Sequence, residues 1–168
     1  MQSSVAQGSP VLSSAMARQP RNILVYPFVR DTEPLFLILR RADNGIWQGV
    51  SGGVEGAESS EEAAVRELGE ELGLFDPPPI LPLTMLSGAR RTDFTVHHIW
   101  PDDVYIVEKR FFGIDLSERG TEVVLSEEHT ECAWLPFGRA HELLEYSDDR
   151  TGLWELHRRI LTDDLPIR

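Results

Sequence analysis

Glu67, Glu70 and Glu71 stand at i, i+3 and i+4, a spacing that puts three carboxylates on one face of a helix. Groups so close repel one another, which raises carboxylate pKa values or melts the turn that carries them. A divalent cation removes the conflict. Hard oxygen donors select Mg²⁺ or Mn²⁺, and Mg²⁺ commonly takes one or two protein carboxylates together with phosphate oxygens and water. The residue types therefore point to a metal site for phosphate chemistry, with a solvated acidic helix face as the plain alternative for any charge run.

Such a cluster needs a rigid helix beneath it, and the flanking residues supply the signals for one. Ser59 followed by Glu62 forms a capping-box pattern, which starts the helix near Ser60. Gly73 ends it in the left-handed conformation, while Gly69 inside costs ~1 kcal/mol relative to alanine. Ala64, Val65, Leu68 and Leu72 fall on the adjoining face and predict an apolar stripe packed on a sheet.

The whole run GGVEGAESSEEAAVRELGEELGL, residues 52–74, fits the pattern Gx5Ex7REUxEExGU, where U is a bulky aliphatic residue. Every constrained place matches: Gly52, Glu58, Arg66, Glu67, Leu68, Glu70, Glu71, Gly73 and Leu74. This segment resembles the Nudix box. The resemblance implies the Nudix fold, a mixed β-sheet sandwiched between α-helices, where periodicity alone supports only a layered α/β or α+β domain. It also implies hydrolysis of a nucleoside diphosphate linked to another moiety, by attack of a metal-activated water on phosphorus. Glu67, Glu70 and Glu71 are then the metal-binding carboxylates, Arg66 orients them through ion pairs, and Glu58 supports the loop or a further metal. Gly52 and Gly53 belong to the entering loop. The family commonly has glycine immediately before the first box glutamate, where this chain has Ala57, with Gly56 one place earlier.

Outside the box, FLILRRADNGIWQGVSGGVEGAE and the later SEEHTECAWL resemble the bacterial dATP pyrophosphohydrolases, which also act on dihydroneopterin triphosphate. That likeness implies Glu128 as a fourth metal carboxylate, Arg40 on substrate phosphate, Ser51 lining the site, and Arg18 as a further contact. Trp47 could stack on a base, although a tryptophan beside a glycine-rich loop serves as often as a packing anchor. An Arg pair at a strand end is usually solvated. His97, His98 and His129 lack metal-ligand spacing and read as structural or exposed. Asp148, Asp149 and Arg150 read as helix capping and surface charge.

Composition narrows the partners. The 168 residues are 41% hydrophobic and carry a formal net charge of -12, enough for one cored domain and without the basic stripe that a nucleic-acid polymer requires. Residues 52–74 hold seven acidic residues against one arginine, so about half of that charge belongs to the candidate metal segment. The single cysteine, Cys132, forms no internal disulfide and fits a reducing cytoplasmic setting. Residues 1–19 read as a disordered tail that is neither a secretory signal nor a membrane anchor, leaving residues 20–168 as one domain.

Along that domain, 22–29 and 35–39 predict neighbouring strands, 48–54 a short strand into the box, and 76–82 a proline-dense loop. Strand-like runs follow at 92–100, 105–114 and 131–135, then helices at about 138–146 and 151–161. Leu153, Trp154, His157, Ile160 and Leu161 recur at helical spacing and predict core packing. The favoured function is a Mg²⁺-dependent pyrophosphohydrolase acting on a nucleoside or pterin triphosphate. A dinucleoside polyphosphate, ADP-ribose or a nucleotide sugar keeps the chemistry with another substrate. A Nudix-fold isomerase would need a better-placed cysteine than Cys132, and a noncatalytic nucleotide sensor would not need the intact set Arg66, Glu67, Glu70 and Glu71. Oligomeric state and the proton-accepting base are not encoded legibly.

Overall fold

The central strand shows in its own sequence why it is central. Strand β1 (Arg18–Val29) has eight consecutive buried residues at its C-terminal end, and alternate residues face opposite layers. Ile23 and Val25 join one apolar cluster, while Leu24, Tyr26 and Phe28 join another. A strand apolar on both faces must be covered on both. The computed structural model describes residues 17–165, and in it helices cover the two faces of a seven-stranded mixed sheet.

The other strands are β2 (Leu35–Arg41), β3 (Trp47–Gln48), β4 (Val50–Glu55), β5 (Leu81–Arg90), β6 (Ile106–Asp115) and β7 (His129–Pro136). β1 pairs antiparallel with β2 and β4 along one edge and parallel with β6 along the other. β6 carries β5, and β2 carries β3 and β7. Helix α1 (Ser60–Leu72) packs Ala63, Ala64, Leu68 and Leu72 over Ile23, Val25, Leu37 and Leu39. Helices α2 (Phe137–Leu143) and α3 (Ser147–Leu161) cover the opposite face, with Ala140, Leu153 and Leu156 against Tyr26, Phe36 and Phe111.

Several expectations from sequence are corrected here. β1 begins at Arg18, so Arg18 and Gln19 lie in a strand rather than in a tail; residues 1–16 lie outside the described residues. Residues 83–90, which carried no strand expectation, complete β5, whose Pro82 is tolerated because the strand is at the sheet edge. The run 92–100 is no strand: it forms two 3₁₀ turns, Arg91–Asp93 and His97–Ile99. Val65 on α1 and Trp154 and Leu161 on α3 are exposed, since each periodic stripe is narrower than its apolar residues suggested. Among the described residues no helix is long and apolar enough to cross a membrane.

Candidate active site

Helix α1 delivers the carboxylates with the caps anticipated. Ser59 Oγ accepts from the Glu62 amide and the Glu62 carboxylate accepts from the Ser59 amide, at 3.1 and 2.7 Å. Gly73, at φ 70°, closes the other end through hydrogen bonds to Gly69 and Leu68 carbonyls. The turn before the helix places its left-handed residue at Gly56, φ 52°, so the alanine at 57 is accommodated by moving the special conformation one residue back.

Arg66 is the hub. Its Nη1 bonds Glu67 Oε1 at 2.8 Å and Glu70 Oε2 at 3.3 Å, and its Nη2 bonds Glu58 Oε1 at 2.8 Å and the Gly53 carbonyl at 2.7 Å. One guanidinium thus ties helix, loop and β4 together, a use to which its forked donors are suited. The Glu58 carboxyl, bonded to Arg66 and to the Glu55 amide, is held below its ordinary range although burial works the other way. Gly52 matters for space: a β-carbon there would overlap the Glu67 carboxylate. Its absence lets the Glu67 side chain of α1 lie against β4 and reach the cleft.

That cleft encloses about 1120 Å³, room for a polyphosphate and a heterocycle together. Glu67, Glu70, Glu128, Arg41 and Ser51 line one end. Burial lifts the Glu67 carboxyl to about 7, against the pull of Arg66. Burial also lifts Glu71 to about 9, with the charges of Glu67 and Glu128 adding to it. Glu71 is 3% exposed, and its Oε2 is buried without a hydrogen-bond partner. His129 Nε2 lies 3.7 Å from that oxygen, and burial lowers the imidazole pKa, so it supplies little positive charge. His129 is therefore a buried neighbour of the carboxylates, while His97 and His98 are exposed.

A buried Glu71 oxygen without a hydrogen-bond partner, an exposed Glu70 beside it, and Glu67 and Glu128 at the cleft are hard oxygen donors that fit a divalent cation. Among the described residues no three donor side chains converge on one point. Arg66 instead holds Glu67 and Glu70. Glu70 is the more exposed of the two, with 56% of its side chain open to solvent and its bond to Arg66 the longer at 3.3 Å.

The remaining candidates divide. Arg18 lines the cleft, donates from Nη2 to Asn22 Oδ1 at 3.1 Å, and sits 6.0 Å from the Phe94 ring centre. Its Nε is buried without a partner. Asn22 in turn donates to Ser51 Oγ at 3.2 Å. Gly53 makes room for Arg18, whose guanidinium a β-carbon would strike. Arg40 points elsewhere, to the Gly45 carbonyl and Glu131. Arg41 takes the cleft position and forms a two-point pair with Asp43. Successive residues of β2 point to different sides, and a register irregularity in the pairing with β7 falls between Arg40 and Arg41. Trp47 packs into the second apolar cluster, leaving Gln48 at the cleft.

The far end of the cleft was not anticipated as a site. Lys109, Tyr146, Asp148 and Asp149 line it, and Asp149, expected at the surface, is 1% exposed. Lys109 Nζ bonds Asp148 Oδ2 at 2.7 Å and Asp149 Oδ1 at 2.9 Å. Lys109 sits within a β-strand pattern, where nothing in the local sequence marks it.

Comparison with known proteins agrees with this geometry. The NUDIX domain family model matches residues 18–156. The dihydroneopterin triphosphate diphosphatase of Escherichia coli K12 is 27% identical over 140 residues, covering 81% of this chain and 91% of that one. The asymmetrical bis(5'-nucleosyl)-tetraphosphatase of Sus scrofa is 30% identical over 135 residues, covering 79% and 84%. A crystal structure described as a candidate NUDIX hydrolase from Listeria monocytogenes superimposes with a TM-score of 0.78 at 34% identity, covering 89% of this chain and all of that one. The E. coli dihydroneopterin triphosphate pyrophosphohydrolase structure shares the fold at a TM-score of 0.71 and 24% identity, covering 86% and 99%.

The chain belongs to the Nudix family, and its class is the pyrophosphohydrolases that cleave phosphoanhydride bonds. Within that class it is similar to the E. coli dihydroneopterin triphosphate diphosphatase over most of both chains.

Proposed function

We propose that the chain from Arg18 onward acts as one cytoplasmic hydrolase domain that converts a nucleoside or pterin triphosphate to the monophosphate and pyrophosphate, with Mg²⁺ or Mn²⁺ as cofactor. The observation that carries this reading is the pair of buried carboxyl groups Glu67 and Glu71 on one helix face beside the cleft, desolvated and only partly compensated by Arg66 and Arg41. Glu67, Glu70, Glu71 and Glu128 would hold the metal, with Glu58 acting through Arg66 rather than at the cleft. When bound, the ion neutralises phosphate oxygens and acidifies the attacking water.

The chain's own groups do the rest. Arg66 fixes the carboxylates, so their positions are set before substrate arrives. Arg18 lines the cleft, where polyphosphate oxygens can accept from its guanidinium. Arg41 offers a second guanidinium near Glu128, and Ser51 is aligned by Asn22. Arg40 and Trp47 do not line the cleft, which favours Arg41 and Gln48 as the groups nearer the substrate. A cleft carboxylate takes the water proton, and in-line attack on phosphorus needs little else from the protein.

A second reading keeps this chemistry and changes the substrate to a dinucleoside polyphosphate. The open 1120 Å³ cleft and the 30% identical tetraphosphatase favour it. Chromatography of the products from dATP, dihydroneopterin triphosphate, ADP-ribose and diadenosine tetraphosphate, with and without Mg²⁺, separates the two. Metal-dependent release of pyrophosphate from either triphosphate supports the first reading; turnover confined to diadenosine tetraphosphate moves the substrate to the second.

A further inference from the structure

Lys109 is a buried lysine, 8% exposed, whose cross-strand neighbours are Asn22 on β1 and Ser87 on β5. Burial opposes its charge, yet Asp149 and Asp148 outweigh that and hold the ammonium more firmly protonated than usual. Two of its three N–H bonds go to those carboxylates, which leaves one donor. Asp149 is almost fully enclosed and serves to fix Lys109. Asp148 differs, with 23% of its side chain open to the cleft. Its Oδ1 accepts from the Asp149 amide at 3.0 Å, and its Oδ2 accepts from Lys109 and from Ser87 Oγ. A ligand N–H can take the place of the rotatable Ser87 hydroxyl, and Oδ1 keeps a lone pair.

We infer that Asp148 and Lys109 form the subsite that reads the edge of the substrate's heterocycle, and that the edge they fit is the 2-amino-4-oxo pattern shared by guanine and pterins. The inference deepens the reading above and rests on it for the position of the polyphosphate at the opposite end of the cleft. A 2-amino-4-oxo edge presents two adjacent N–H donors followed by a carbonyl oxygen. The Asp148 carboxylate accepts from both donors, and the free Lys109 N–H donates to the carbonyl. Adenine presents one amino donor beside a ring nitrogen lone pair, which faces the carboxylate oxygen unfavourably. Tyr146, with its ring 5.7 Å from Lys109 Nζ and half exposed at the cleft, offers a flat surface beside this edge.

Hydrolysis is not needed to test this. In the presence of Mg²⁺, amide chemical-shift titrations compare dGMP with dAMP, and neopterin with adenosine. The expected result is at least tenfold tighter binding of the 2-amino-4-oxo member of each pair, with shifts at the Lys109 and Asp148 amides. Asp148→Asn puts an amide donor against ring N–H groups, and should erase the preference by weakening the 2-amino-4-oxo member of each pair at least tenfold more than its adenine counterpart. Asp148→Glu, a second variant that keeps the charge but moves the oxygens, should lose at least threefold of it. Equal affinities, a preference for adenine, no binding at these amides, or equal weakening of every ligand by either variant overturns the inference. A retained guanine preference in a protein that hydrolyses no triphosphate would instead count against the proposed function alone.

Discussion

The two ends of the cleft treat buried charge in opposite ways. At the carboxylate end Glu67 and Glu71 are desolvated, and their carboxyl groups are pushed up to about 7 and about 9 because Arg66 and Arg41 do not compensate fully. At the far end two carboxylates surround one ammonium; Asp148 is held below its usual range, and burial leaves Asp149 raised. The first arrangement is incomplete without an added cation, and the second is stable as it stands. A site that must recruit a metal keeps a deficit of positive charge, whereas one that must present fixed hydrogen-bonding groups satisfies them internally.

The largest effect should follow from neutralising the incomplete end. Glu67→Gln and Glu71→Gln should each lower kcat by roughly 10²-fold or more, as expected for loss of electrostatic stabilisation in a phosphate-transfer site. At or above pH 9, where Glu71 ionises, the metal-free Tm of Glu71→Gln should exceed that of the unsubstituted protein, because a buried unpaired carboxylate disappears. Near-normal turnover by both variants would remove the proposed site.

The complete end should answer in the opposite sense. Lys109→Met leaves Asp149 buried without its partner and should cost about 3 kcal/mol, the scale for breaking one side of a buried pair. Urea unfolding measures it. A loss below the noise of that measurement would mean that the ion pairs at 2.7 and 2.9 Å do not persist in solution.

Acidity gives a third contrast. Glu67 and Glu71 have folded pKa values above their unfolded ones, so the folded state binds more protons and stability falls as pH rises through about 7 and about 9. Metal-free protein should therefore melt at a lower temperature at pH 9 than at pH 5.5, and millimolar Mg²⁺ should recover most of the loss at the higher pH. Melting curves unaffected by metal at pH 9 would contradict a cation deficit. The smallest effect separates the arginine pair: Arg41→Ala should lower kcat/KM about tenfold, the scale of one charge-assisted contact, while Arg40→Ala stays within twofold. Reversed values would return Arg40 to the substrate.

The difference between the ends is also a difference in legibility. Ser59, Glu62 and Gly73 act through neighbours three to five residues away, so α1 and the common face of Glu67, Glu70 and Glu71 can be read from spacing alone. Strand β5 escaped notice because Pro82 and Gly88 break its pattern, and an edge strand tolerates both. The aromatic and β-branched run near Phe94 to Ile99 looked extended, yet Trp100 anchors it instead, with its indole N–H on the Arg18 carbonyl at 2.7 Å. Arg40 and Arg41 are adjacent in sequence, and only the packing at the irregular end of β2 separates them, with Arg41 at the cleft and Arg40 on Glu131.

By itself the sequence determined the chemistry available: a capped helix with three carboxylates on one face, an arginine among them, and glycines beside it, all set by local spacing. Only the tertiary structure decided which charges lose water. Glu71 becomes deficient, and Asp149 satisfied, because α1 and α3 lie on opposite faces of one sheet and bring them beside His129 and Lys109, residues 58 and 40 positions away in the chain. Desolvation and long-range pairing depend on that packing, and no local pattern carries them.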